Sequence, residues 1–203
     1  MSLVIKQEQI LDAAIRRLSH FGVNKTSLTE IAEDVHMTKQ ALMYYYHDKQ
    51  QLIASVTAKI SGEYIETLSG LLDKALPVKE VFLSLIDMRR HFFSKYHLLF
   101  IQLSTTDLIG AAEIEQIRKE TKDAEAGLLA KQIELFIGKG EIRPNNALDT
   151  VTLILDTITS LAIFLGKQCP PPSQAEIDNL IQKQKALVEL LFKGLETDKI
   201  IYT

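Results

Sequence analysis

Residues 26–46 read TSLTEIAEDVHMTKQALMYYY, and the fold turns on how this stretch is parsed. Ser27 and Glu30 have capping-box spacing: a hydroxyl accepts a helix amide, and a carboxylate three residues on reaches back. They open a short helix carrying Leu28, Ile31, Ala32 and Val35. Thr38 is an N-cap for a further helix through about Tyr45. Between the two lies a tight turn at His36, where glycine is usual; histidine tolerates left-handed backbone better than most side chains. Ala32 is the small residue such a crossing of helices needs, and Ile31, Val35, Met37 and Leu42 supply an apolar lock. This is the pattern of a helix-turn-helix, a motif whose second helix lies in the major groove while the first crosses the DNA backbone.

The flanks extend the same logic. Ile10, Ala14 and Leu18 recur every fourth residue, Leu11 and Phe21 widen the stripe, and Gly22 stands where a helix stop belongs. Asp48 to Gln51 is another capping box, opening a long helix whose apolar row is Leu52, Val56, Ile60, Tyr64, Leu68 and Leu72. Pro77 suits the first turn of a helix reaching Phe93, and Tyr96 to Gly110 reads as a separate, shorter one. Helices follow from about Ala111 to Ile137, from Asn145 or Asn146 to about Lys167, and from the Ser173–Glu176 capping box to about Leu195. Cys169-Pro-Pro-Pro172 cannot be helical and separates the last two. Strand signals are nearly absent. The expected fold is all-α: a three-helix DNA-binding domain with a helix-turn-helix over residues 1–47, then a larger helical domain over 48–203.

Composition excludes several classes. In 203 residues, 46% are hydrophobic and 24% charged, a balance that folds around a core rather than staying disordered. The apolar runs are too broken for a membrane span, and the N-terminus lacks the long apolar core of a signal peptide, so a cytoplasmic protein with no membrane partner is expected. A single cysteine, Cys169, leaves no intrachain disulfide and reads as a loop thiol. His91 and His97 are off the spacing of a shared metal site on one helix face, so no metal is expected, and no cofactor. No phosphate loop or nucleophile elbow is present, so no catalytic residue is assigned and an enzyme is not expected. Net charge is −3, yet the first sixty residues hold seven basic against six acidic side chains. Local charge, rather than a basic chain, would have to serve a nucleic acid.

The exposed positions of the second motif helix would be Thr38, Lys39, Gln40, Ala41, Tyr44 and Tyr45. Lysine can donate to guanine, glutamine can pair with adenine, and alanine can touch a thymine methyl. Thr26 and Ser27, at a helix start with free amides, suit a phosphate, and Lys49 suits another. Each ring of Tyr44-Tyr45-Tyr46 could equally be plain packing.

The ordered run Ile10-Leu-Asp-Ala-Ala14, Phe21-Gly22, Thr26-Ser27, Ile31-Ala32, Thr38-Lys39, Leu42, Tyr44-Tyr45-Tyr46, Lys49 and Leu52 resembles the N-terminal domain of the TetR (tetracycline-repressor-like) family of transcriptional regulators. The resemblance covers about residues 8–56. His36 departs from the usual turn glycine, Met43 stands where a tyrosine is frequent, and Tyr46 fills a position where phenylalanine is usual. The resemblance implies a DNA-facing set of Thr26, Ser27, Thr38, Lys39, Gln40, Ala41, Tyr44, Tyr45 and Lys49. It further implies a homodimeric repressor released from a palindromic double-stranded operator by a small-molecule effector. A DNA-binding regulator or architectural protein without an effector is the alternative.

The last two helices are apolar over more than one face, which calls for a second covering surface: a partner chain, or a wholly internal position. The resemblance implies a four-helix homodimer seam, for which Leu155, Ile158, Leu161, Leu165, Leu180, Leu187 and Leu191 are the candidates. The aromatic middle of the chain, with Tyr64, Phe82, Phe92, Phe93, Tyr96, Phe100 and Gln102, is the candidate effector pocket, although ordinary core packing would use the same residues. Arg89 and Arg90 read as solvated.

Overall fold

The computed structural model describes residues 3–105, 111–143, 146–166 and 173–195. Among them are eight α-helices: α1 (Leu3–Phe21), α2 (Leu28–Asp34), α3 (Lys39–Met43), α4 (Lys49–Leu72), α5 (Val78–Thr105), α6 (Ala111–Gly138), α7 (Ala147–Gly166) and α8 (Gln174–Leu195). The chain divides into two compact units, Met1–Tyr64 with His91–Thr121 and Ile65–Arg90 with Lys122–Thr203. Among the described residues no helix is long and apolar enough to cross a membrane. Pro144, Asn145, Lys167 and the Cys169-Pro-Pro-Pro172 linker lie outside the described residues, as do the side chains of His97, Phe100, Gln102 and Leu165.

The local rules are visible at the helix ends. Ser173 and Glu176 form the reciprocal pair expected of them: the Ser173 amide donates to Glu176 Oε2 (2.7 Å) and the Glu176 amide to Ser173 Oγ (3.4 Å). Asn146 Oδ1 accepts from the Asp149 amide at 3.1 Å and so caps α7. At the end of α6, Gly140 takes φ 72, the Glu141 amide reaches Phe136 O and the Gly140 amide reaches Ile137 O. Those two bonds make a Schellman motif, which satisfies carbonyls that a helix end would leave bare.

The break expected between Phe93 and Tyr96 is present: α5 consists of two helical segments meeting at a kink, where Tyr96 leaves helical geometry (φ −123, ψ 17). Tyr96 is only 1% exposed, and its hydroxyl donates to Glu63 Oε2 at 2.7 Å, with Lys95 Nζ 4.8 Å from its ring centre.

In the first unit, Ile10, Ala13, Ala14 and Leu18 of α1 are buried along with Ile31 and Ala32 of α2, Leu42 of α3 and Leu52 and Val56 of α4. The second unit has a continuous core drawn from α4 to α8, with Phe82 packed on Phe192 at 5.4 Å. Burying one such ring contributes roughly 1.5–3 kcal/mol. Across this core runs a bidentate ion pair: Arg89 Nε and Nη2 donate to Glu125 Oε1 and Oε2 at 3.2 and 2.7 Å, and Nη1 reaches Thr159 Oγ1 at 3.2 Å. Arg90 pairs with Asp178, and Lys185 with Asp87. Both arginines are therefore engaged in tying α5 to its neighbours rather than merely solvated.

Removing one partner of a buried pair leaves the other desolvated and costs about 3 kcal/mol, whereas replacing both with apolar groups is close to neutral. Arg89→Met is expected to lower unfolding free energy by about that much in urea titration, and Arg89→Met with Glu125→Leu to recover most of it. A single variant as stable as the parent would show that the pair carries little.

Candidate nucleic-acid interface

The motif is built by short-range bonds. Ser27 Oγ accepts from the Glu30 amide at 3.3 Å, and Glu30 Oε2 accepts from the Ser27 amide at 2.7 Å, closing the capping box that opens α2. The Ser27 bonds hold the Glu30 carboxyl below its usual range. α2 then ends in a second Schellman motif: the Met37 amide donates to Ala32 O (2.9 Å) and the His36 amide to Glu33 O (3.0 Å). His36 takes φ 53, the left-handed conformation its position demands. Thr38 follows at once and caps α3, its Oγ1 accepting from the Ala41 amide at 3.1 Å. No residue between the two helices lacks a geometric task.

Side chains of α1 and α4 brace this pair of helices, a feature sequence reasoning missed. Arg17 Nε and Nη2 donate to Asp34 Oδ2 and Oδ1 at 2.5 and 2.9 Å, with Glu30 Oε1 3.4 Å from Nη1. The guanidinium holds the Asp34 carboxyl below its ordinary range. Lys6 Nζ donates to Val35 O at 3.1 Å, placing a cation on the C-terminal carbonyls of α2. Lys59 of α4 pairs with both Glu8 and Asp12 of α1. These partners are far apart in sequence, and helical periodicity carries no mark of them.

The expected DNA-facing residues separate into two groups. Thr38, Lys39, Gln40 and Tyr44 are exposed, Tyr44 to 80%, while Ala41 and Tyr45 are half-buried. Tyr44 and Tyr45 meet edge to face at 5.5 Å, whereas Tyr46 is buried in the core and burial pushes its hydroxyl pKa up. The rings thus divide between surface and packing. Leu42, at 0% exposure, anchors the helix that presents them.

Thr26, Ser27 and Lys49 are placed differently from the simple phosphate reading. Thr26 is 2% exposed and its hydroxyl donates to Gly22 O at 2.8 Å. The amides of Thr26 and Ser27, expected free, donate to Val23 O (3.4 Å) and to Glu30. Ser27 itself is exposed. Lys49 Nζ donates to Val23 O at 2.6 Å, and burial lowers its pKa.

Of the pocket candidates, Tyr64, Phe92 and Tyr96 come together in the first unit: Tyr64 stands edge-on to Phe92 at 5.2 Å, and Phe92 lies 6.0 Å from Tyr96. Phe93 is 37% exposed, and Phe82 belongs to the core of the second unit. Of the seam candidates, Leu155 and Ile158 are 2% and 1% exposed and belong to the core of the second unit. Leu161, Leu180, Leu187 and Leu191 are half-buried. Among the described residues, the large exposed apolar side chains on α7 and α8 are Leu148, Leu153 and Leu190, at 51%, 65% and 65%. A pattern apolar on all sides could not say which side would stay open.

The conformation of His36 makes a measurable demand. An L-residue in the left-handed region costs about 1–2 kcal/mol, and glycine escapes it at some entropic expense. His36→Gly should raise unfolding free energy by about 0.5–1 kcal/mol, and His36→Val should lower it by about 2 kcal/mol, measured in urea. Equal stability of the three proteins would count against strain at this turn.

Comparison with known proteins agrees with this geometry. Residues 10–56 match the family model of the bacterial regulatory proteins of the tetR family. The HTH-type transcriptional regulator YhgD of Bacillus subtilis is 22% identical over 179 residues, 87% of this chain and 93% of YhgD. A transcriptional regulator from Cytophaga hutchinsonii shares the fold with a TM-score of 0.84 at 21% identity, over 95% of this chain and 99% of that one. SmeT, the repressor of the Stenotrophomonas maltophilia multidrug efflux pump SmeDEF, aligns with a TM-score of 0.67 at 14% identity, over 96% and 92% of the two chains. Residues 10–56 thus match the tetR-family model, and the all-helical fold of the chain is shared with a solved transcriptional regulator.

Proposed function

We propose that the chain works as a homodimeric repressor that reads a palindromic operator through α3 and lets go when a small molecule binds. The observation that carries the reading is the tip of α3, where Lys39 and Gln40 stand exposed on a helix whose capping and turn bonds are complete. Rigid presentation of polar side chains is what base recognition needs. In this reading Thr38, Lys39, Gln40, Ala41, Tyr44 and Tyr45 face the DNA, Ser27 lies beside the backbone, and the working division of the chain falls between residues 47 and 48. Blocking a promoter needs no further surface, and repression is what SmeT does in its own organism.

Pairing is supported by Leu148, Leu153 and Leu190, large apolar side chains left in water on two helices. A two-fold pair would set two α3 helices one DNA turn apart, hence the palindrome. The effector reading is supported by the Tyr64, Phe92 and Tyr96 cluster, which shares a compact unit with the helix-turn-helix. A ligand preferring one placement of α4 there would shift the population competent for DNA.

Duplexes selected by the wild-type protein from a random-sequence pool provide the probe. Lys39→Ala is expected to weaken binding to the selected duplex roughly 5- to 150-fold at fixed salt, with its circular dichroism unchanged. Unaltered affinity in a mobility-shift titration removes Lys39 from the reading head. For the seam, Leu153→Glu with Leu190→Glu is expected to convert a dimer into a monomer in sedimentation velocity; a dimer that persists would place the interface elsewhere.

A further inference from the structure

Lys49 has the charge and the place at the start of a long helix that suit a phosphate contact, yet its ammonium is already committed. Nζ donates to Val23 O at 2.6 Å, across a sequence separation of 26, and the bond is partly buried. The same carbonyl accepts the Thr26 amide, and the preceding carbonyl, Gly22 O, accepts the Thr26 hydroxyl. The loop joining α1 to α2 is thus tied at two successive carbonyls, twice from within by Thr26 and once from α4 by Lys49. Gly22, at φ 80, makes the reversal that exposes those carbonyls to their donors. Ser27 follows directly and caps α2, and the bonds around His36 carry the orientation of α2 into α3. A displacement of the first turn of α4 is therefore delivered to the loop through the Lys49 side chain.

We propose that Lys49 is a positioning residue, which sets the placement of α2 and α3 through the Val23 carbonyl and does not pair with a DNA phosphate. The proposal rests on the DNA-reading role given above to α3. Its consequence is specific: loss of the ammonium should harm sequence reading while leaving the electrostatic attraction to DNA intact.

Two duplexes test it, the one selected by the wild type and a scrambled duplex of the same composition. Each is titrated over a range of salt with wild type and with Lys49→Met, which keeps the aliphatic stem but cannot donate. The expected result is about tenfold weaker binding to the selected duplex, unchanged binding to the scrambled one, and equal salt slopes for wild type and variant. A slope shallower by about 0.9 per protomer, with both duplexes weakened together, would identify Lys49 as a phosphate contact and overturn the proposal. A loss shared by both duplexes at an unaltered slope would be a folding defect, and no loss at all would leave the bond without consequence; either also overturns it. Failure of the wild type to select any duplex would instead defeat the DNA-reading role itself. Should Lys49→Met not fold, acetic anhydride labelling of the wild type decides: Lys49 should react at the same rate with and without the selected duplex, and protection by DNA would refute the proposal.

Discussion

The hydrogen bond from the Met37 amide to the Ala32 carbonyl, with His36 held left-handed beneath it, is the constraint on which the reading head depends. It closes α2 and dictates the direction in which the chain leaves, so that Thr38 arrives where it can cap α3. A helix of five residues has almost no stability of its own, because nucleation is costly and propagation short. α3 is therefore helical by borrowing: a cap at one end, Leu42 sunk into the core on one side, and the fixed turn behind it. That dependence explains why the bracing lies in α1 and α4. Arg17, Lys6, Lys49 and Lys59 each cross between elements, and between them they hold the motif's helices and loop against the two longer helices of the same unit.

What could be read in advance follows from the range of the interactions involved. Capping at Ser27, Thr38, Asp48 and Ser173 needs only three residues of sequence, and each of these side chains accepts the amide expected of it. The left-handed turn at His36 was legible from its place between two caps. The break at Tyr96 was legible as well, since two helical segments meet there. Contacts between distant positions left no such trace. Arg89 meets Glu125 36 residues away, and the Arg17 to Asp34 fork spans 17. Nothing in a single chain's periodicity tells an arginine that is solvated from one that is clamped.

Burial was predictable in kind and not in direction. α7 reads as apolar all round, and the structure divides it: Val151, Ile154, Leu155 and Ile158 face the second unit's core while Leu148 and Leu153 face out. The tyrosine triplet divides likewise, with Tyr46 inside and Tyr44 in water. In both cases composition marks an element as sticky, but only the packing of its neighbours decides which of its sides is already satisfied.

The capping box at Ser27 has a further consequence for how such a protein meets a genome. Glu30 places its own carboxylate on the Ser27 amide at the start of α2, beside the caged guanidinium of Arg17. A helix terminus that would attract any phosphate is thereby neutralised from within. With seven basic and six acidic side chains in its first sixty residues, attraction to phosphates depends on where the remaining cations stand rather than on the net charge of the segment.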